Sequence, residues 1–329
     1  MQHMSAVTAT PLTAPAGRRS PLLRLPRRRM GLVPWYVPYL LLAPGIVSLG
    51  ATVAYPLVNL VLISFQQFRA RELILGLPTD WTGLTNYRYI FSRPEFWTVL
   101  GRSLLFAAVN VALTIVIGMG LAVLMQRLGG RLRTLLAISM VLAWATPTVT
   151  ATQVWLWLFD RDFGVVNWML TSLHLGNFTQ HSWLSDPVSM LGLATLIVVW
   201  AALPFVALTL FAGLSQVPTD LYEAARVDGG SGWAIFRWVS LPNVAPIVLL
   251  LTLLSAIWDF RVFTQIFVLQ KAGGISEDTN LIGIWAYHQS FGGAPNYGRG
   301  AATSIVGVVI LLMVTALLLR RMVRAGDEL

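Results

Sequence analysis

The sequence predicts an all-α, polytopic membrane protein of about six transmembrane helices, and three observations lead there. First, 56% of the 329 residues are hydrophobic and only 11% are charged, whereas a soluble domain carries about 25% charged residues. With so few charges a soluble chain of this size could not cover its surface, and a bilayer removes that requirement. Second, six stretches reach the roughly 20 apolar residues that a bilayer core demands: 36–65, 103–125, 133–158, 188–214, 244–269 and 301–319. Third, arginines cluster beside these stretches, the pattern that orients a chain in a membrane.

The net charge is +9, carried by 22 arginines and the single Lys271. In a soluble protein this balance would suggest nucleic acid. Here the placement of the basic residues points to membrane lipid instead, so nucleic-acid binding is set aside. The chain has no cysteine, which excludes disulfides, thiolate zinc sites and a thiol nucleophile.

Residues 1–33 are rich in Ala, Pro, Thr and Arg and lack a helical period. They read as a disordered cytoplasmic tail. They do not read as a signal peptide, because the basic region is long, the apolar run after it exceeds an h-region, and a clear small-residue cleavage site is missing. Residues 34–329 read as one transmembrane domain. Pro38, Pro44, Pro56, Pro147, Pro204 and Pro246 fall in or near its spans and are tolerated where neighbouring helices satisfy the freed carbonyls.

Arg18, Arg19, Arg24, Arg27, Arg28 and Arg29 precede the first span, Arg127, Arg131 and Arg133 separate spans two and three, and Arg320, Arg321 and Arg324 follow span six. An even number of spans puts all three clusters on one side, the cytoplasm, with both termini inside. Arg69, Arg71, Arg88 and Arg93 in the first outer loop weaken this bias. The outer loops are then 66–102, 159–187 and 270–300, and the inner loops 126–132 and 215–243.

No catalytic constellation stands out. A phosphate-cradling P-loop needs Gly-Lys-Ser/Thr, and Lys271 follows Gln270. There is no G-x-S-x-G elbow and no H-E-x-x-H. His174 and His181 lie seven apart in an outer loop without nearby partners that form a recognisable metal pattern, and they read as solvated. The sequence predicts no metal, no cofactor and no enzymatic activity.

The inner loop 215–243 is the most informative segment. Pro218 and Thr219 mark a helix start, and Asp220 suits the positive end of the helix dipole. Leu221 to Asp228 reads as a short helix, broken by Gly229, Gly230 and Gly232. Trp233 to Val239 reads as a second helical piece, stopped by Leu241-Pro242. Ala224 and Ala225 would let a partner approach closely, and Glu223 could pair with Arg226 at i,i+3. Spacing alone leaves a surface connector and a docking element equally open.

Glu223-Ala224-Ala225, then Gly229, then Val239-x-Leu241-Pro242 resembles the EAA loop of ABC importer permeases, E-A-A-x3-G-x9-I-x-L-P, with Val239 in place of Ile. LLLAPG and AYPLVNLVLISF in the first span resemble maltose-type and glycerol-phosphate-type sugar permeases. So do Trp258-Asp259-Phe260-Arg261-Val262-Phe263 and Tyr297-Gly298 with Gly300-Ala301-Ala302. Ile275 stands where the family often has Pro.

The resemblance implies a type I permease fold and a subunit that carries a sugar. Glu223, Ala224, Ala225, Gly229, Leu241 and Pro242 would form a coupling element seated on the ATPase. It also implies a second permease subunit, two copies of an ATP-binding subunit and an extracytoplasmic solute-binding protein. The alternatives are a permease for another small polar solute and, less well supported by intramembrane carboxylates, an ion-coupled secondary transporter.

Charges at mid-membrane cost about 2.5–3.5 kcal/mol on insertion scales, so Asp259 and Arg261 in span five require a partner or a wet cavity. Thr252, Ser255 and Asp259 share one helical face beside Trp258, and Arg261 and Gln265 a roughly opposite one. The Asp259 face is the candidate substrate path, and subunit packing or a place near the outer interface is the alternative. Trp200 and Trp258 could stack on a sugar ring or anchor at the interface. Asn110 and Thr114 on span two suit interhelical hydrogen bonds.

Overall fold

The computed structural model describes Pro34 and residues 36–327; the expected tail 1–33 and its arginine cluster lie outside the described residues. The described residues up to Ala54 belong to one unit, with α1 (Val37–Leu49) and the π-helical turn Gly50–Ala54. The second unit starts at Tyr55. It runs through α2 (Tyr55–Ser64), β1 (Gln66–Gln67), α3 (Ala70–Leu75), β2 (Asp80–Trp81), α4 (Thr85–Ser92) and α5 (Pro94–Arg127). Then come α6 (Gly130–Trp144), α7 (Thr148–Leu158), α8 (Val165–Ser172), α9 (Pro187–Leu214), α10 (Thr219–Val227), α11 (Gly232–Ile235), α12 (Leu241–Phe260), α13 (Thr264–Lys271), α14 (Ile282–Phe291) and α15 (Tyr297–Asp327).

Five helical stretches are long and apolar enough to cross a membrane: Val37–Ser64, Pro94–Arg127, Pro187–Leu214, Gly232–Lys271 and Tyr297–Val323. The pair α6–α7 makes a sixth if its two arms count as one span. α5 outruns its expected limits because Pro94 opens it, Glu95 occupies its first turn and Arg127 its last, placements that suit a helix start and the dipole. At 1.5 Å per residue it is about 51 Å long, well beyond the ~30 Å hydrocarbon core.

Packing fixes which helix ends share a face. Asn110 donates to Thr195 at 3.5 Å and Gln126 to the Leu214 carbonyl at 3.1 Å. Midway between them, a Cβ on Gly118 would stand 2.7 Å from Val206, so here the lack of a side chain is what lets the helices close. The order 110–118–126 against 195–206–214 makes α5 and α9 parallel. The chain must therefore return, between Arg127 and Pro187, to the face where α5 began. α6 and α7 carry it: Arg133 lies over Phe211, Trp144 stacks on Phe205, and Trp155 meets Trp200 edge-on. These contacts climb α9 from its C-terminal half toward its N-terminus, so the α6–α7 pair crosses.

The expected single helix 133–158 is corrected to this pair, bent by 103°. Pro147 lacks an N–H, and its ring pushes Thr146 out of the helical region. Pro44, Pro204 and Pro246, by contrast, stay inside their helices.

Span five is corrected at both ends. Leu241-Pro242 does not stop a helix: α11 passes through the π-helical turn Phe236–Ser240 directly into α12. The wider turn lets Leu241 N–H bond the Phe236 carbonyl, and the Asn243 side chain satisfies the Val239 carbonyl at 2.7 Å. α12 ends at Phe260, and the chain leaves the helix before α13 begins at Thr264. Arg261 and Gln265 therefore do not share a helical face.

One apolar core joins Phe106, Met190, Ile197, Ile266, Leu269 and Ile284 near the start of α9. Beside it, Ile90, Phe96, Phe260, Trp285, Ala302 and Val306 form a second. At the opposite end of the helices Met119, Val206, Leu210, Leu214, Val244 and Leu251 form a third.

Candidate functional site

The loop after α9 folds into a closed, surface-mounted helix. Pro218 precedes α10, Asp220 sits in its first turn, and the helix spans Thr219–Val227 with Asp228 as its cap. It ends in a Schellman turn. Gly229 N–H bonds the Arg226 carbonyl at 3.1 Å, Gly230 N–H bonds the Ala225 carbonyl at 2.9 Å, and Gly229 takes φ +78°. That left-handed conformation strains any residue with a Cβ. Ser231 then caps α11, accepting from Ala234 N–H at 3.2 Å.

The inner face of α10 is tied to the body of the protein. The Tyr222 and Ser240 hydroxyls lie 3.3 Å apart, joining α10 to the π-helical turn. Tyr222 and Arg226, one turn apart, line a cleft of about 460 Å³ with Gln126, Arg127 and Phe236. The outer half of α10 carries Leu221, Glu223, Ala224 and Val227, all exposed, with Val227 at 87%. Trp233 and Trp238 are each 72% exposed on the same loop. The expected Glu223–Arg226 ion pair is absent: among the described residues the one ion pair is Arg102–Asp278. Glu223 is left available to a partner, and Leu241 and Pro242 sit at the root of the loop on α12.

The residues proposed for a substrate path are split by burial. Ser255 and Asp259 are buried, Asp259 at 3%, and Asp259 Oδ2 has no hydrogen-bond partner. Thr252 is half-buried and bonds back to the Val248 carbonyl at 2.7 Å. Trp258 is 46% exposed and meets Phe205 edge-on at 5.3 Å. Since Phe205 also stacks with Trp144, the three rings form a partly open aromatic run on α6, α9 and α12. Nothing in the sequence distinguishes Phe205 and Trp144 from other apolar residues. Trp200, half-buried, meets Trp155 edge-on at 5.8 Å.

Asn110 and Thr114 are fully buried; Asn110 spends its amide on the Phe106 carbonyl and Thr195, while Asn110 Oδ1 and Thr114 Oγ1 are unpartnered. Among the described residues no group of three or more acidic or histidine side chains could hold a metal. His181 packs edge-on against Trp183 at 4.8 Å, so its ring serves a loop cluster.

Residues 114–326, more than half of the chain, match the family described as binding-protein-dependent transport system inner membrane component. The chain belongs to that family. This permease is 39% identical over 291 residues to the diacetylchitobiose uptake system permease protein DasB of Streptomyces coelicolor, covering 88% of each chain. It is 30% identical over 283 residues to the trehalose/maltose transport system permease protein MalF of Thermococcus litoralis, covering 86% of this chain and 92% of that one. In fold it is similar to a chain of a bacterial ABC transporter involved in importing the polysaccharide alginate, with a TM-score of 0.75 at 19% identity over 88% of this chain and 96% of that one. The permease is thus a multi-pass transport component of an ABC importer.

Proposed function

We propose that this permease translocates a sugar, with α10 as the element that receives the force of ATP hydrolysis from a separate subunit. The observation that carries the coupling role is the closed helix itself. Its inner face is fixed by Tyr222 and the Schellman turn, while Glu223 and Ala224 face outward beside exposed Val227. A rigid, partly apolar knob at the ends of α9 and α12 can pass a displacement of its partner to both helices. Ala225 and Gly229 keep the knob compact, and Leu241 and Pro242 join it to α12.

The sugar class rests on the relatives, named for diacetylchitobiose and for trehalose and maltose. Flat aromatic faces suit sugar rings, and Trp258 with half-buried Thr252 offers a ring and a hydroxyl. Ser255 and Asp259 brace that surface from behind as a polar seam. The companions are a second permease, two ATP-binding subunits and an extracytoplasmic binding protein, and the chain itself performs no catalysis. Both termini and the loop 215–243 face the cytoplasm.

Reconstitution of the assembled transporter in proteoliposomes tests this. ATP-driven uptake of a disaccharide is expected, and Glu223→Lys is expected to abolish it while insertion and assembly persist. Normal uptake by Glu223→Lys would remove α10 from coupling, and uptake that ignores ATP would overturn the importer reading.

A further inference from the structure

Above the outer ends of α5 and α15, two guanidinium groups share one aromatic ring. Arg299 lies 3.5 Å from the centre of the Tyr89 ring and Arg93 lies 4.7 Å from it. Arg93 Nη2 also donates to the Tyr89 hydroxyl at 3.0 Å. The ring attracts both cations but cancels neither charge. Among the described residues neither arginine has a carboxylate within 4.0 Å. Two guanidiniums held against one ring, neither paired with a carboxylate, form a donor set suited to a phosphate.

Directly along the helices from this pair runs a groove of about 440 Å³. Phe91, Trp97 and Leu100 form one wall, and Val306, Val309 and Met313 the other. Spacing aligns the two features. Arg299 and Val306 are two helical turns apart on one face of α15, and Arg93 caps the start of α5, next to the turn that carries Trp97. Phe91, Trp97, Val309 and Met313 remain substantially exposed. Cationic groups thus sit at the end of an open apolar channel that descends along two membrane-crossing helices.

We propose that this is a binding site for one anionic phospholipid, with its phosphate on Arg93 and Arg299 and an acyl chain between α5 and α15. A soluble partner could meet the arginines but would leave the groove empty. A helix of the second permease could fill the groove but would have to bring a carboxylate to its end. A phospholipid supplies both parts in the right order and is always present. The leaflet is the one at the face where α5 and α15 begin, which is the outer one under the topology proposed above; the lipid site itself does not depend on that assignment.

Native mass spectrometry of the assembled transporter, titrated with phosphatidylglycerol or with phosphatidylcholine of the same chains, tests the site. Phosphatidylglycerol should be retained in preference. Arg93→Gln and Arg299→Gln should each lower its retention about fivefold, the effect of one surface cation on an anionic lipid. Arg88→Gln, an exposed arginine on α4 outside the pair, should change little. Val309→Trp, which fills the groove, should reduce retention of both lipids. Equal retention of the two lipids, or an equal loss in Arg88→Gln, would overturn the proposal. So would loss of the second permease from the Gln variants with lipid retention unchanged, since the groove would then be a subunit interface.

Discussion

Gln126 donates to the Leu214 carbonyl at 3.1 Å, tying together the last turns of two helices that run in the same direction. The bond sits where α9 hands over to the loop that carries α10, and Gln126 also lines the cleft behind α10. Parallel neighbours cannot be consecutive spans, so the chain crosses once between them. α5, α9 and α15 therefore begin at one face, and the loops 126–132 and 215–243 lie at the other.

Reporter fusions should therefore place positions 130, 230 and 325 together and positions 180 and 293 on the opposite side. The expected sign for the first group is cytoplasmic, from the arginines at 127, 131, 133, 320 and 321. An opposite signal for 230 relative to 130 would mean that α6–α7 dips into the membrane and returns, against the α5–α9 packing.

The turn that closes α10 predicts a graded series at Gly229. A residue with a Cβ in the left-handed region costs about 1–2 kcal/mol, with Asn the most tolerated. Uptake per assembled complex should fall in the order Gly, Asn, Ala, and Gly229→Pro should lose coupling altogether. Proline both forbids φ +78° and removes the N–H that bonds the Arg226 carbonyl. Hydrogen exchange at residues 224–231 should rise along the same series. Identical uptake for Asn, Ala and Pro would show that the turn geometry is irrelevant to coupling.

A pH effect is expected at the loop after α7. Asp160 Oδ1 accepts from Phe163 and Asp162 N–H, both at 2.9 Å, and these bonds hold its carboxyl below the usual carboxylate range. A depressed pKa means that the stabilisation is present at neutral pH and is lost as pH falls through the folded-state value. Amide protection at residues 162 and 163 should stay flat through the ordinary carboxylate range and drop only below it. Asp160→Ala should remove the protection at every pH. A drop centred at or above the ordinary aspartate value would contradict the bonding.

Much of this was legible in the sequence, and the failures have physical causes. The EAA spacing located α10 and its terminal glycine because a Schellman turn demands a residue without a Cβ at one defined place. Span lengths fell short where polar residues such as Glu95 and Arg102 extend α5 beyond the apolar window. Pro147 breaks a helix while Pro204 does not. Nothing local separates them, because only neighbouring helices decide whether a freed carbonyl is satisfied. Asp259 and Trp258 are adjacent in sequence yet differ in burial, 3% against 46%, a difference set by where α12 meets its neighbours.

That difference yields the sharpest substitution test. Trp258 presents its ring beside Phe205 and Trp144 with nearly half its surface open. Trp258→Ala should leave assembly nearly intact while lowering uptake per assembled complex. Stacking on an aromatic face is worth about 0.5–1.5 kcal/mol by analogy with aromatic pairs, a roughly two- to tenfold effect. Asp259 lies inside the bundle, one residue before Phe260 of the core that includes Ala107 and Ala302. Asp259→Leu should chiefly lower the yield of assembled transporter, because the change of shape and polarity falls in a packed seam. Asp259→Asn, close in shape, should assemble well. Measuring both yield and normalised uptake separates the roles. A normal rate per complex for Trp258→Ala would remove that ring from the path. A collapsed rate with normal yield for Asp259→Leu would instead bring the carboxylate back into it.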